Sequence, residues 1–234
     1  MAQRHAFLAL TNPAPGREDE FNDWYDTHHL PEVLRYGSGM RGGRRFRLSP
    51  AQRPGHAPPW RYLAWYDLEH DDLAAFHHEP WAPASPPLKP FAGLIADGFA
   101  GWLFTPMAEG VNGFDSCPRG DDYLFLALTN AGAGQEAAFN AWYDQSHLPE
   151  IVAGLPGFHG GRRYEASPHQ RQNQPQPEWR YMAAYSVAAE NGGAVHAAAG
   201  GVTGLTRAGP GVLAPGHVAW LFEPVGPYVE RSGI

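Results

Sequence analysis

The stretch FNDWYDTHHLPE at residues 21–32 returns as FNAWYDQSHLPE at residues 139–150, an offset of 118, and each copy sits inside a longer repeat. Phe7-Leu-Ala-Leu-Thr-Asn12 returns as Phe125-Leu-Ala-Leu-Thr-Asn130, and Gly42-Gly-Arg-Arg45 as Gly160-Gly-Arg-Arg163. Trp60-Arg-Tyr62 returns one residue later than that offset, as Trp179-Arg-Tyr181, and Trp102-Leu-Phe104 returns at 118 as Trp220-Leu-Phe222. One residue was gained and later lost, so the chain reads as a tandem duplication. The boundaries this implies are 1–107 for the first unit, 108–121 for a Gly- and Pro-rich linker, and 122–234 for the second unit.

Within the first unit, Ala6–Asn12 is an apolar run ended by Asn-Pro and reads as a strand. From Glu18 the apolar residues fall at Phe21, Trp24, Tyr25, Leu30, Val33 and Leu34, a helical period that Pro31 is expected to kink or end near His28 and His29. Met40–Leu48 and Trp60–Leu68 read as strands on either side of a Pro-rich loop. A helix around Leu73, Phe76 and His77 is interrupted by prolines and resumes at Phe91–Ile95, and Phe99–Thr105 closes the unit as a strand. The order β-α-β-β-α-β is the ferredoxin-like split unit. The second unit repeats it from Asp122 to Pro224, with a second helix weakened by the glycines of NGGAVHAAAGGVTGLTRAG.

Strand periodicity then says how the units meet. One face of Trp60–Asp67 carries Trp60, Tyr62, Ala64 and Tyr66, and the other carries Leu63 and Trp65, so both faces need cover. A ferredoxin-like sheet has helices on one face only, and its other face is left as an aromatic patch unless a second sheet covers it. The expected fold is α+β: two ferredoxin-like repeats packed sheet to sheet as an intramolecular pseudo-dimeric α/β barrel.

With 234 residues and a net charge of −7, the chain lacks the basic face that a nucleic-acid partner requires. Its one cysteine, Cys117, cannot form an internal disulfide. The absence of a long apolar run points to a soluble, cytoplasmic protein without a membrane partner. The expected partner is a small-molecule substrate, and the expected assembly is a monomeric pseudo-dimer or a homo-oligomer of it.

The spacing of aromatic, His and Pro in Trp24-Tyr25-Asp-Thr-His-His29-Leu-Pro31, and again in Trp142-Tyr143-Asp-Gln-Ser-His147-Leu-Pro149, resembles the EthD-like branch of the dimeric α/β-barrel superfamily. That resemblance implies a pocket between the first helix and its own sheet, hence one per half. It covers isomerases, polyketide cyclases, dehydratases and decarboxylases without cofactor, oxygenases acting on aromatics, and haem proteins.

On the helix, Tyr25 and His29 are four apart and Asp26 and His29 three apart, so hydroxyl, carboxylate and imidazole share one side; Tyr143, Asp144 and His147 repeat the set. The chemical reading is a histidine oriented by Asp or Tyr and moving a proton near neutral pH. The alternative is a capping and salt-bridging device, because a helix C-terminus favours a cationic imidazole. Asn22, Asn140, Trp24, Trp142, Tyr62 and Tyr181 are candidate substrate contacts. In each of the pairs Arg44-Arg45 and Arg162-Arg163 one guanidinium faces the helix, and Arg44 and Arg162 are taken as carboxylate clamps.

Twelve histidines invite a metal, but His28-His29 and His77-His78 have no full counterpart in the second half, and no haem-attachment motif is present. No metal and no cofactor are expected. The function read from these residues is a cofactor-independent lyase, isomerase, dehydratase or decarboxylase acting on a small aromatic, lactone or polyketide-like molecule. The alternatives are a non-catalytic binding or accessory protein and, behind it, a haem-dependent or cofactor-free oxygenase.

Overall fold

The computed structural model describes residues 4–76, 93–96, 98–197 and 204–234. In the first half, β1 (Arg4–Thr11) leads through α1 (Glu18–Trp24), a π-helical turn (Tyr25–His29) and α2 (Leu30–Tyr36) to β2 (Met40–Leu48), β3 (Tyr62–Glu69), α3 (Leu73–Phe76) and β4 (Ala100–Pro106). The second half repeats the order: β5 (Tyr123–Thr129), α4 (Glu136–Trp142), a π turn (Tyr143–His147), α5 (Leu148–Gly154), β6 (Phe158–Ala166), β7 (Tyr181–Val187), a 3₁₀ turn at Ala189–Ala194 and β8 (Val218–Pro224). A short β9 (Val229–Glu230) adds to β2.

The strands run β3-β1-β4-β6-β7-β5-β8-β2, and β2 returns to β3, so eight antiparallel strands close into a barrel. Closure removes the sheet edges that an open sheet would expose. Two short seams join the halves: Phe104, Thr105 and Pro106 pair with Ala166, Glu165 and Tyr164, and Phe46, Arg47 and Leu48 pair with Pro224, Glu223 and Phe222.

Alternation along each strand sorts the apolar residues into three clusters. Leu8, Leu10, Leu63, Trp65, Trp102 and Phe104 fill the barrel lumen together with Leu124, Leu126, Leu128, Trp220 and Phe222 of the other half. The opposite faces, with Phe7, Tyr62 and Tyr66 in one half and Phe125, Tyr181 and Tyr185 in the other, pack under the helices. Both faces of β3 are therefore covered. Trp60, expected on the same strand face as Tyr62, Ala64 and Tyr66, instead packs edge-on against Trp102 beside the lumen, since it precedes the start of β3. Gly43 and Gly161 are fixed by this layering: a Cβ there would lie 2.9 Å from the Tyr66 ring and 2.7 Å from the Tyr185 ring, and crowd Leu30 and Leu148.

Residues 108–121 are less of a spacer than their composition suggests. Phe114 and Cys117 are buried in the lumen cluster, and Val111 bridges to Gly161. Of the first half's expected second helix the described residues hold one turn, α3, and residues 93–96 form a turn with Ile95 bridged to Pro13; His77, His78 and Phe91 lie outside the described residues. In the second half the glycine-rich stretch gives a 3₁₀ turn that passes into helix at residues 195–197, residues 198–203 lie outside the described residues, and residues 204–213 are loop. Among the described residues no helix is long and apolar enough to cross a membrane.

Candidate active site

Pro31 does not end the helix, and neither does Pro149. The backbone N–H of Leu30 reaches back five residues to the Tyr25 carbonyl, and that of Leu148 to the Tyr143 carbonyl. This widened turn accommodates a proline, which has no N–H to give, and the helix runs on to Tyr36 and Gly154. The histidines therefore lie in mid-helix bulges rather than at helix ends, which removes the helix-terminus argument for a cationic imidazole.

The arginine that faces each helix is the second of its pair. Arg45 is 2% exposed and donates to Asp26 Oδ1 at 2.6 Å and to Asn22 Oδ1 at 2.6 Å, with its guanidinium 4.4 Å from the Tyr25 ring centre. Arg163 repeats this on Asp144 at 2.7 Å and Asn140 at 2.8 Å, 4.6 Å from Tyr143. Asp26 and Asp144 thus pair with arginine and do not orient the imidazoles. Asn22 and Asn140 belong to the same knot. The signal that finds it is in the sequence: Asn and Asp four apart on one helix face make an acceptor fork that a buried cation satisfies.

Arg44 and Arg162, taken as substrate clamps, lie on the other side of the strand with Phe46 and Tyr164 and hold the linker. Arg44 donates to the carbonyls of Pro118, Gly120 and Gly226, and Arg162 to those of Ala108 and Asp115. Their donors serve the backbone, so the clamp role is withdrawn. Tyr62 is likewise engaged: its hydroxyl donates to Glu18 at 2.6 Å and accepts from Asn22 at 3.1 Å. Tyr181 packs under Phe139 at 4.9 Å.

His29 stacks on Trp24 at 4.5 Å and meets Tyr25 edge-on at 4.8 Å; His147 does the same on Trp142 at 4.4 Å and Tyr143 at 4.8 Å. In both imidazoles Nδ1 is buried with no hydrogen-bond partner. Desolvation, with a smaller push from Arg45, lowers His29 from 6.5 to about 4; desolvation brings His147 to about 4 against an opposing pull from Glu150, with a smaller push from Arg163. Both are neutral bases at physiological pH. The phenols do not reach them as donors: Tyr25 bonds Tyr66 at 3.2 Å and Tyr143 bonds Tyr185 at 3.5 Å, and burial pushes all four above the usual phenol range.

In the second half a cavity of about 540 Å³ opens between this helix and β5 and β8. Trp142, Tyr143 and His147 form one wall, Ala127, Thr129 and Ala219 the floor, and the 204–209 loop the roof. The roof is fastened to the helix through one residue. Thr206 gives its N–H and its hydroxyl to Glu150, both at 2.6 Å, and its carbonyl accepts Trp142 Nε1 at 2.8 Å. Thr206, Arg207 and His217 were not singled out from the sequence, because a glycine-rich loop carries no periodicity to mark which of its residues turn inward. Of the candidates from the motif, Trp142, Tyr143 and His147 reach the cavity, while Asn140, Asp144, Arg162 and Tyr181 do not line it. The positions equivalent to the roof in the first half, 86–91, lie outside the described residues. Among the described residues no three His, Cys, Asp or Glu side chains converge to hold a metal.

No family model matches the chain, and no curated protein matches it in sequence. Solved structures do match in fold. An anthrone oxidase-like protein superposes with a TM-score of 0.58 over 100% of this chain and 96% of its own, at 12% identity. A protein of Lactobacillus acidophilus, provisionally assigned as a monooxygenase, gives 0.56 over 98% and 97% at 8% identity. Chlorite dismutase from Candidatus Nitrospira defluvii, in complex with imidazole, gives 0.51 over 95% and 92% at 12% identity. At such identities the likeness is one of fold, that of the dimeric α/β barrels, closed here within a single chain.

Proposed function

We propose that the protein is a small-molecule enzyme in which His147, and by repetition His29, acts as a general base on an aromatic or enolisable substrate held against the first helix. The observation that carries this reading is the imidazole of His147: neutral, half-buried, stacked on a tryptophan and lining the wall of a cavity of substrate size. At about 4 His147 is a free neutral imidazole at physiological pH, available to accept a proton in the transition state; burial disfavours the imidazolium, which makes it a weak base and drives the proton back onto the substrate. Tyr143 and Trp142 supply the flat apolar wall, and Thr129 a hydroxyl on the floor. Returning the proton elsewhere on the substrate gives an isomerase or lyase outcome. The anthrone oxidase-like and monooxygenase assignments of proteins sharing this fold favour substrates whose deprotonated form is an electron-rich aromatic.

The same reading takes the chain as two ferredoxin-like repeats, 1–107 and 122–234, joined by 108–121, in the EthD-like manner. Its support is the strand order β4-β1-β3-β2 in one half and β8-β5-β7-β6 in the other, with the arginine knot, the π turn and the stacked histidine in both. The test of the base is solvent exchange: protein in D₂O with a panel of small phenols, anthrones, lactones and β-dicarbonyls, with deuterium uptake read by mass spectrometry. Enzyme-dependent exchange that falls by about 10²–10⁴ in His147→Gln supports the base. Exchange undiminished in the double variant His29→Gln/His147→Gln excludes it.

A further inference from the structure

The cavity wall has a charge pattern that the general-base reading does not use. Its lining includes one arginine and two histidines, Arg207, His147 and His217, and no aspartate or glutamate. Arg207 is exposed to the cavity, and among the described residues no carboxylate pairs with it. The carboxylate that acts on His147, Glu150, has both oxygens taken by Thr206. Two further basic groups come from the opposite half: Arg53 and His56, on the β2–β3 connection, act electrostatically on both His196 and His217. Arg207 stands at the solvent-exposed edge of a site walled by tryptophan, tyrosine and leucine, where its planar fork of donors is free to meet the polar end of a ligand whose ring lies on that wall.

The repeat supports the position. Residue 89, which stands 118 before Arg207, is a lysine. The two loops run in register at their ends: Ala14 donates its N–H to the Leu94 carbonyl at 2.8 Å, and Gly132 to the Val212 carbonyl at 2.9 Å. A cation therefore recurs at the same repeat position in a stretch where most other residues differ, including Leu88 against Thr206 and Pro90 against Ala208.

We infer that the cavity takes an anionic aromatic ligand, with the ring system against Trp142 and His147 and a carboxylate or phenolate at Arg207. This rests on the cavity's being a small-molecule site and adds the charge of what it holds. A guanidinium facing a carboxylate forms charge-assisted hydrogen bonds, and a neutral amide of the same shape forfeits them.

Calorimetric titration with 2-naphthoate and with 2-naphthamide, at pH 7.5 and fixed salt, separates the possibilities. The acid is expected to bind about ten- to a hundredfold more tightly than the amide. Arg207→Gln should bring the two affinities together, Arg207→Lys should keep most of the preference, and neither change should move the melting temperature of an exposed loop residue. Equal affinities for acid and amide in the unsubstituted protein overturn the charge assignment and leave the cavity standing, as does an undiminished preference in Arg207→Gln. Binding of neither probe overturns the cavity reading and this inference with it.

Discussion

Replacing Arg163 by methionine keeps a stem of similar length and removes the guanidinium from the knot under the second helix. The side chain is 1% exposed and loses two charge-assisted bonds, to Asp144 and Asn140, and the face of Tyr143. Such bonds contribute about 1.5–3 kcal/mol each, but Asp144 is 40% exposed and rehydrates, so its arm belongs at the low end. Adding about 1 kcal/mol for the cation–π contact and subtracting the relief of a buried charge leaves a net loss of about 3 kcal/mol. For a chain of this size that lowers the melting temperature by about 6–12 °C, measured by calorimetry alongside urea denaturation. Asp144→Asn should lose about half as much. A melting temperature within 2 °C of the parent, with ligand binding abolished, would refute the knot and restore a substrate-clamping arginine.

Acid stability follows from the histidines. Folded values near 4 against 6.5 in the unfolded chain mean that the unfolded state binds protons first, so the contribution is complete above pH 6.5 and is lost as pH falls toward 4. For His29 this is about 2 kcal/mol by pH 5, and in the double Gln variant the drop in melting temperature between pH 7 and 5 should be visibly smaller. Asp67→Ala removes a buried carboxylate that accepts from Trp65 and Tyr228 and ties the C-terminal segment to β3; a loss of about 3–5 kcal/mol in chemical denaturation is expected. Thr206→Val cuts one of the three bonds that fasten the roof, the hydroxyl's to Glu150, and should raise deuterium uptake and protease cleavage in 204–209 while leaving the global melting temperature within a few degrees.

The strand faces and the barrel were legible because they rest on periodicity: alternating Leu8, Leu10 against Phe7, Ala9 states a two-faced strand whatever the partner. The site was legible only as far as the helix. His147, Trp142 and Tyr143 could be placed on one side by counting residues, but the parity of Arg44 and Arg45 could not, since two adjacent arginines read alike until the strand's register is known. Phe46 and Leu48 held the answer, as they share the lumen face with Arg44 and leave Arg45 to the helix. Proline at 31 misled for a different reason: the rule that it breaks a helix assumes a four-residue ladder, and the five-residue turn escapes it. The loop that roofs the cavity has no local signal, and its fastening depends on Glu150, which looks like an ordinary surface residue of the helix.

The account turns on His147 being a neutral base that is electrically separate from Asp144. A ¹⁵N-detected titration of the imidazoles, in the parent protein and in Asp144→Asn, reads this directly. The account predicts that His147 stays neutral down to pH 5, titrates near 4, and is little changed by the substitution, because Asp144 pairs with Arg163. A His147 that titrates at or above 6.5, and falls when Asp144 loses its charge, would place the carboxylate on the imidazole and contradict the central claim.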